Sequence, residues 1–377
     1  MRKTFKLALI ATAAAAALGS AQAAEVTLYG SVSTGVVYKH SDELTGGENA
    51  MKERDSVSME SAWYGDSIWG ITGSEDLGNG WTVGFTLENE FTSDDGNMAT
   101  ADTLFDSQSY LRVGNDMLNI AVGNLGTLAS AGGDFDLVGG FDPLEAAFGV
   151  GGMGAFASRD FAMSNTAVVE ITPIDGLKVS FMGSVGDDDS NTRWADRNHY
   201  YGVGALYENG PFAAAAVVEM MQYDRPVGLS DDDKGMTYTL GLSYDFDVVK
   251  PMFMYQHADK VRNWMDGDIG ADAYTIDSFL LGATAPLGGG NLLASLQYLK
   301  AENESTSSSN NEADAWIVGL AYTYELSKRT TIYAGATYAK GGDGLDKDLD
   351  ADASFGEFID RADYNGYQFG LGLNHTF

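Results

Sequence analysis

The chain has no cysteine in 377 residues and only 6 prolines. Without thiols there is no disulfide framework and no thiolate chemistry. Cations are scarce: Lys+Arg total 22 against 54 Asp+Glu, a formal charge of -32. That balance excludes nucleic acid as a partner, since a phosphate backbone is held by Lys and Arg. Long apolar runs are missing beyond residue 23. The longest, residues 212–218, falls far short of the roughly 18 needed for a membrane helix. If this protein crosses a membrane, it does not do so with helices. Catalytic machinery is absent too. His40, His199, His257 and His375 are scattered without metal-ligand spacing. Gly149 to Gly154 fits G-x-G-x-x-G but has no strand–helix context, so it reads as loop glycine and not as a dinucleotide site.

What is present begins with a targeting segment. Arg2, Lys3 and Lys6 precede a short apolar stretch from Leu7 to Leu18, and Ala21-Gln22-Ala23 forms an A-x-A cleavage site. Residues 1–23 therefore read as a secretory signal peptide, with the mature chain, 24–377, forming one domain. Without that segment Lys+Arg falls from 22 to 19 against 54 acids, and the charge moves from -32 to -35. The chain also holds 47 glycines, 19 tyrosines and 18 phenylalanines, a composition that favours strands.

Period-two alternation recurs along the chain. Tyr238, Leu240, Leu242, Tyr244 and Phe246 alternate with Thr237, Thr239, Gly241, Ser243 and Asp245. Trp316, Val318, Leu320, Tyr322 and Tyr324 do the same, as do Val83, Phe85 and Leu87. The polar face is small and the apolar face is aromatic at its ends. Segments of about ten such residues predict an all-β, transmembrane antiparallel β-barrel. Short connectors alternate with long polar ones, matching the two ends of such a barrel. Counting between them gives about 16 strands, with fourteen or eighteen as alternatives. The stretch NGYQFGLGLNHTF is the closing strand, pairing with the first and placing Tyr367, Phe369, Leu371 and Leu373 toward lipid.

Three stretches resemble Gram-negative general porins. Val26-Thr27-Leu28-Tyr29-Gly30 looks like their first strand. Residues 69–80, WGITGSEDLGNG, look like their second strand and turn. Gly372-Leu373-Asn374-His375-Thr376-Phe377 is similar to their terminal strand. The resemblance implies an outer-membrane homotrimer of sixteen-stranded barrels, embedded among lipid and lipopolysaccharide. It implies that Phe377 is the signal read by the barrel-assembly machinery. It also implies a third outer loop folded inward to narrow each pore. Residues 126–164 are the longest connector and carry Asp134, Asp136, Asp142 and Glu145, the acids expected at the constriction. Family members commonly set arginines on the facing wall. The corresponding positions here are Ile68, Thr72, Ser107, Asn124 and Asn374, none of them basic, and strand parity assigns them to the lumen with Glu88 and Glu90. An acidic constriction without its arginine ladder favours cations, unless Arg112, Arg159 or Arg361 reaches inward.

The expected function is a passive diffusion channel for ions and small hydrophilic solutes, needing no cofactor. The alternative is a surface-binding or adhesion protein that uses the barrel as an anchor. A sugar-specific channel would need a run of lumen aromatics, which the pattern lacks. In the last long loop Asp346, Asp348, Asp350, Asp352 and Glu357 follow a calcium-loop register, with Ala351 where glycine is wanted. Ca2+ or Mg2+ at the outer loops is the corresponding expectation, against a plain solvated acidic loop.

Overall fold

The structure, a computed structural model, describes residues 25–41, 54–157, 162–186, 199–222, 234–261, 273–304, 312–341 and 365–377. Seventeen strand segments build one sheet. They are β1 (Glu25–Ser41), β2 (Arg54–Ser61), β3 (Ile68–Gly78), β4 (Trp81–Glu90), β5 (Gln108–Gly114), β6 (Leu118–Gly126), β7 (Ala162–Ile174), β8 (Leu177–Ser184) and β9 (His199–Asn209). Then follow β10 (Phe212–Gln222), β11 (Lys234–Tyr244), β12 (Lys250–Val261), β13 (Tyr274–Leu287), β14 (Gly290–Asn303), β15 (Glu312–Ser327), β16 (Thr330–Gly341) and β17 (Asn365–Thr376).

β2 and β3 pair with successive stretches of the same strand, β1, and so form one interrupted stave. The wall is thus a closed barrel of sixteen antiparallel staves. It closes where β1 meets β17, from Ser31↔Thr376 to Ser41↔Gly366, as the final thirteen residues predicted. Closure leaves no lipid-facing edge along most of the wall, which hydrocarbon demands.

The turns at one end are tight. Asn79 and Gly80, between β3 and β4, both have positive φ, +55° and +79°, the requirement of a two-residue hairpin whose twist suits the strands. At the other end the connectors are long.

The outer face carries the alternating apolar residues. Leu240, Leu320 and Leu371 are 48%, 52% and 63% exposed. The inner face departs from the expected small, polar lining. Val217, Met254, Ile276, Leu280, Leu299 and Ile317 point inward and are buried. They are covered by the segment 127–157, which carries its own apolar residues, among them Leu128, Phe135, Leu137, Phe141 and Met153, into the same cluster. In β13, Phe279, Leu280 and Leu281 are therefore apolar on both faces, one toward lipid and one toward this segment.

Candidate functional site: the inner wall and the third loop

Residues 127–157 leave β6 and run along the inner wall. The first turn is held by β9 and β10: the Leu128 amide donates to Tyr200 Oη at 3.2 Å, and the Ala129 amide to Glu219 Oε1 at 3.3 Å. The Tyr200 hydroxyl donates to the same Glu219 oxygen at 2.6 Å. The loop then crosses one strand after another. Leu137 lies over Gly204, Phe141 over Gly241, Pro143 against Gly282, Leu144 against Gly319 and Phe148 over Gly335. Each crossing falls on an inward glycine, whose missing side chain makes room; a Cβ on Gly241 would stand 2.5 Å from the Phe141 ring.

The return limb is held by side-chain amides of the wall. The Ala155 amide donates to Gln297 Oε1 at 3.1 Å, and Gln297 Nε2 donates to the Gly151 carbonyl at 2.5 Å. Gln256 grips Ala157 at both ends, accepting from its amide at 2.8 Å and donating to its carbonyl at 3.2 Å. Ser278 and Ser295 add bonds to Ala155 and Gly151 carbonyls. Loop backbone that would otherwise be orphaned in a dry interior is satisfied by the wall.

The tip is clasped by aromatics. The Phe148 amide donates to the Trp63 carbonyl at 2.7 Å, and the Thr337 hydroxyl to the Phe148 carbonyl at 2.8 Å. The Phe148 ring stands edge-on to Trp63 at 5.1 Å, stacks on Tyr64 at 5.2 Å and meets Tyr333 edge-on at 6.0 Å. Trp63 and Tyr64 come from residues 62–67, the interruption between β2 and β3. Serines tie that interruption to β1: the Ser33 hydroxyl donates to the Tyr64 carbonyl at 2.6 Å, and the Ser33 amide to Ser67 Oγ at 3.0 Å. Sequence alternation missed this feature, since Ala62-Trp63-Tyr64-Gly65-Asp66-Ser67 has no period of two.

The four loop acids divide into two pairs. Asp134 and Glu145 are exposed. Asp134 accepts from the Tyr110 hydroxyl, and Glu145 from Tyr64. Asp136 and Asp142 are instead spent on the loop's own backbone. Asp142 is 2% exposed and accepts from the Leu144 and Ala146 amides at 3.0 and 2.7 Å. Asp136 accepts from Ala131, Val138 and Gly139 at 3.1, 3.2 and 2.6 Å. The sequence expectation placed some of these acids at the narrowest point of the pore; Asp142 is sealed in its turn, because a short carboxylate two residues before free amides closes on them.

Burial pushes the Asp136 carboxyl up to about 6, against the backbone donors that favour its charge. An aspartate raised in the folded state is best tolerated when neutral, so its contribution to loop docking is full below about pH 4 and lost as pH rises through about 6. Amide exchange over residues 131–139, corrected for intrinsic rates, is expected to slow as pH falls from 7 to 4. Asp136→Asn should flatten that dependence; an unchanged slope in this variant would assign it to another group.

On the wall, Glu88 is 7% exposed and accepts from Tyr29 at 2.8 Å and from Ser107 at 2.5 Å. Strand pairing sets Ile68 opposite Glu90 and Thr72 opposite Thr86 on the same inner face. Thr72 bonds the Phe85 carbonyl at 3.0 Å. Asn374 faces inward beside Gly65. Asn124 does not follow expectation. It pairs with Ser109, two residues beyond the outward pair Leu111↔Val122, so it lies on the outer side; the irregularity between Gly123 and Leu125 there defeats simple counting. Arg112, paired with Gly84, is on the inner face and exposed. Arg159, Arg361 and the calcium-like run Asp346, Asp348, Asp350, Asp352 and Glu357 lie outside the described residues. Among the described residues no three His, Asp or Glu side chains gather to hold a metal. Phe377 packs its ring against Gly30 and donates its amide to the Gly30 carbonyl at 2.9 Å.

A barrel with an inner loop of this kind has relatives. Residues 8–344 match the family model described as Gram-negative porin. The chain is 30% identical over 378 residues to outer membrane porin protein 32 of Delftia acidovorans, covering 99% of this chain and 100% of the relative. It is 29% identical over 379 residues to an outer membrane porin of Bordetella pertussis, covering 90% and 94%. Among solved structures, an anion-selective porin from Comamonas acidovorans superposes with a TM-score of 0.66 at 23% identity, covering 94% of this chain and all of that one. The trimer form of OmpT from Vibrio cholerae gives 0.61 at 15% identity, covering 94% and 100%. The closed sixteen-stave barrel, the outward apolar face and the whole-chain match agree: the chain belongs to the Gram-negative porin family, channels of the outer membrane.

Proposed function

We propose that this porin is a passive diffusion channel that prefers cations. The observation that carries the reading is the charge on the inner surface. Glu88, Glu90, Asp134 and Glu145 sit on the wall or loop facing the lumen, while Ile68, Thr72, Ser107 and Asn374 supply no counter-cation. Of the inward cations, Lys39 is paired with Glu60 at 3.1 Å and Lys178 with Glu170 at 3.6 Å. Arg112, and Lys250 at the inward position opposite Thr284, stand against the remaining acids. A pore lined by acids concentrates cations and repels anions. The anion-selective neighbour shares the fold at 23% identity, a likeness that carries the fold and not the selectivity. The inward packing of 127–157 supports a channel over a surface-binding anchor, which would spend its longest loop outside. Ion permeability ratios in planar bilayers test the reading.

The same reading includes a homotrimer, residues 1–23 as the export signal and Phe377 as the assembly signal. Structurally Phe377 contributes one hydrogen bond, worth about 1 kcal/mol, and a ring over Gly30. Deleting it is expected to cut the amount of folded porin in the outer membrane several-fold, while the purified variant still refolds in detergent. If refolding in detergent fails equally, the residue is a structural one and not a signal.

A further inference from the structure

We propose that the wall around Tyr29 is a binding site for planar guanidinium cations passing through the pore. Tyr29 of β1, Gly70 of β3 and Glu88 of β4 share one row of the inner face. Gly70 has no side chain, and the Tyr29 ring lies across it. A Cβ on Gly70 would stand 2.6, 2.7 and 2.9 Å from the Cζ, Oη and Cε1 atoms of Tyr29. The ring is thereby laid against the wall, with its hydroxyl donating to Glu88 Oε2 at 2.8 Å. Tyr29 is half-buried, one face on the wall and the other toward the lumen. Other inner tyrosines are covered by rings: Tyr110 packs on Phe135, and Tyr64 and Tyr333 pack on Phe148. Among the described residues no ring packs on Tyr29.

An uncovered aromatic face attracts a cation through its quadrupole. Donation of the Tyr29 hydroxyl to a carboxylate polarises the ring and makes that face more negative. Beside it stands a second, exposed carboxylate. Asp134 is near enough to the Tyr29 hydroxyl to act on it electrostatically. Its place is fixed from two sides, by the Tyr110 hydroxyl and by its own amide, which donates to Gln108 Oε1 at 3.0 Å. Among the described residues neither Asp134 nor Glu88 has a cation within ion-pair distance. Arg112, the guanidinium of the chain itself, projects two rows nearer the tight turns, opposite Gly84.

A flat π face flanked by a carboxylate fits one kind of cation better than others. A guanidinium is planar and weakly hydrated, so it stacks on a ring while its edge donates two parallel hydrogen bonds to a carboxylate. An alkylammonium is a compact, strongly hydrated point charge and gains little from the ring. The inference rests on the cation preference proposed above and goes beyond it by naming the class of solute. Tyr29 supplies the stacking face, Asp134 the charged edge, and Glu88 holds the ring in place.

The test is competition with potassium current through the full-length porin in planar bilayers. Guanidinium chloride or methylammonium chloride is added to a KCl bath, and the concentration that halves the potassium current is read for each. Guanidinium is expected to act at a several-fold lower concentration than methylammonium. Tyr29→Phe keeps the ring and should keep the difference. Tyr29→Leu fills the space over Gly70 without a π face and should bring the two concentrations together. Should Tyr29→Leu fail to insert, Asp134→Asn, at an exposed loop position, carries the same test and is expected to narrow the difference. Equal concentrations in the parent protein, with a potassium-directed reversal potential, would overturn the site alone. So would a difference that persists undiminished in Tyr29→Leu or Asp134→Asn. A chloride-directed reversal potential would overturn the cation reading and this inference with it.

Discussion

Phe148→Ala is expected to raise single-channel conductance and to open residues 140–155 to protease, while the barrel melts as before. Phe148 is almost wholly buried among Trp63, Tyr64 and Tyr333. Removing a buried phenylalanine costs about 3–5 kcal/mol, and part of that is the loss of ring-on-ring contacts worth about 0.5–1.5 kcal/mol each. At about 1.4 kcal/mol per factor of ten, docking of the tip weakens by about two to three and a half orders of magnitude. The two hydrogen bonds that remain there, to Trp63 and from Thr337, contribute about 1 kcal/mol each and do not offset it. The return limb stays fixed by Gln256 and Gln297, so the loop loosens at its tip without leaving the barrel. The wall is indifferent because its strands pair with one another and not with the tip. Gly335→Val reaches the same place from the other side. Its Cβ would stand 2.5 Å from the Phe148 ring, and overpacking of this kind costs about 1–3 kcal/mol, so a smaller rise in conductance is expected. Unchanged conductance and protease resistance in both variants would mean that the aromatic clasp does not hold the loop.

Asp134→Lys is expected to weaken the preference for cations strongly, and Glu88→Gln to weaken it less. A unit charge about 6 Å from a passing ion is worth roughly 0.7 kcal/mol in water and about 3 kcal/mol at the effective dielectric of a protein surface. Replacing an acid by a cation shifts that amount twice, so the ratio of potassium to chloride permeability should fall at least several-fold. Glu88→Gln removes one charge and keeps one oxygen to accept from either Tyr29 or Ser107, while the other hydroxyl turns to accept from the amide NH2, so the wall should keep its shape. Both effects should be larger at 0.1 M salt than at 1 M, where screening acts over about 3 Å. Equal ratios for parent and Asp134→Lys would remove the third loop from the selectivity account.

The barrel was legible because its rule is simple. Leu240, Leu320 and Leu371 alternate with small residues, lipid requires that alternation, and the closing strand followed from it. The third loop was legible from its length. Its path was not, although two signals mark it. Met254, Leu280 and Ile317 break the small inner face, and Gly204, Gly241, Gly282, Gly319 and Gly335 sit at inward positions where the loop crosses. Read strand by strand these look like ordinary small-residue lining; only their alignment around the barrel gives a track. Asp134 and Asp142 are alike in sequence, and one faces water while the other closes a turn, a difference set by whether free amides follow within two to four residues. The interruption at Trp63 and Tyr64 was hidden because an inserted excursion has no period to detect.

The central claim is an acidic pore without its counter-cations, and the reversal potential of the purified porin under a KCl gradient tests it most directly. The account predicts a potential of the sign set by potassium, with a potassium-to-chloride permeability ratio above one that falls as salt rises. A chloride-directed potential would contradict it, and would mean that Arg112 and other cations govern the lumen in place of Asp134, Glu145 and Glu88.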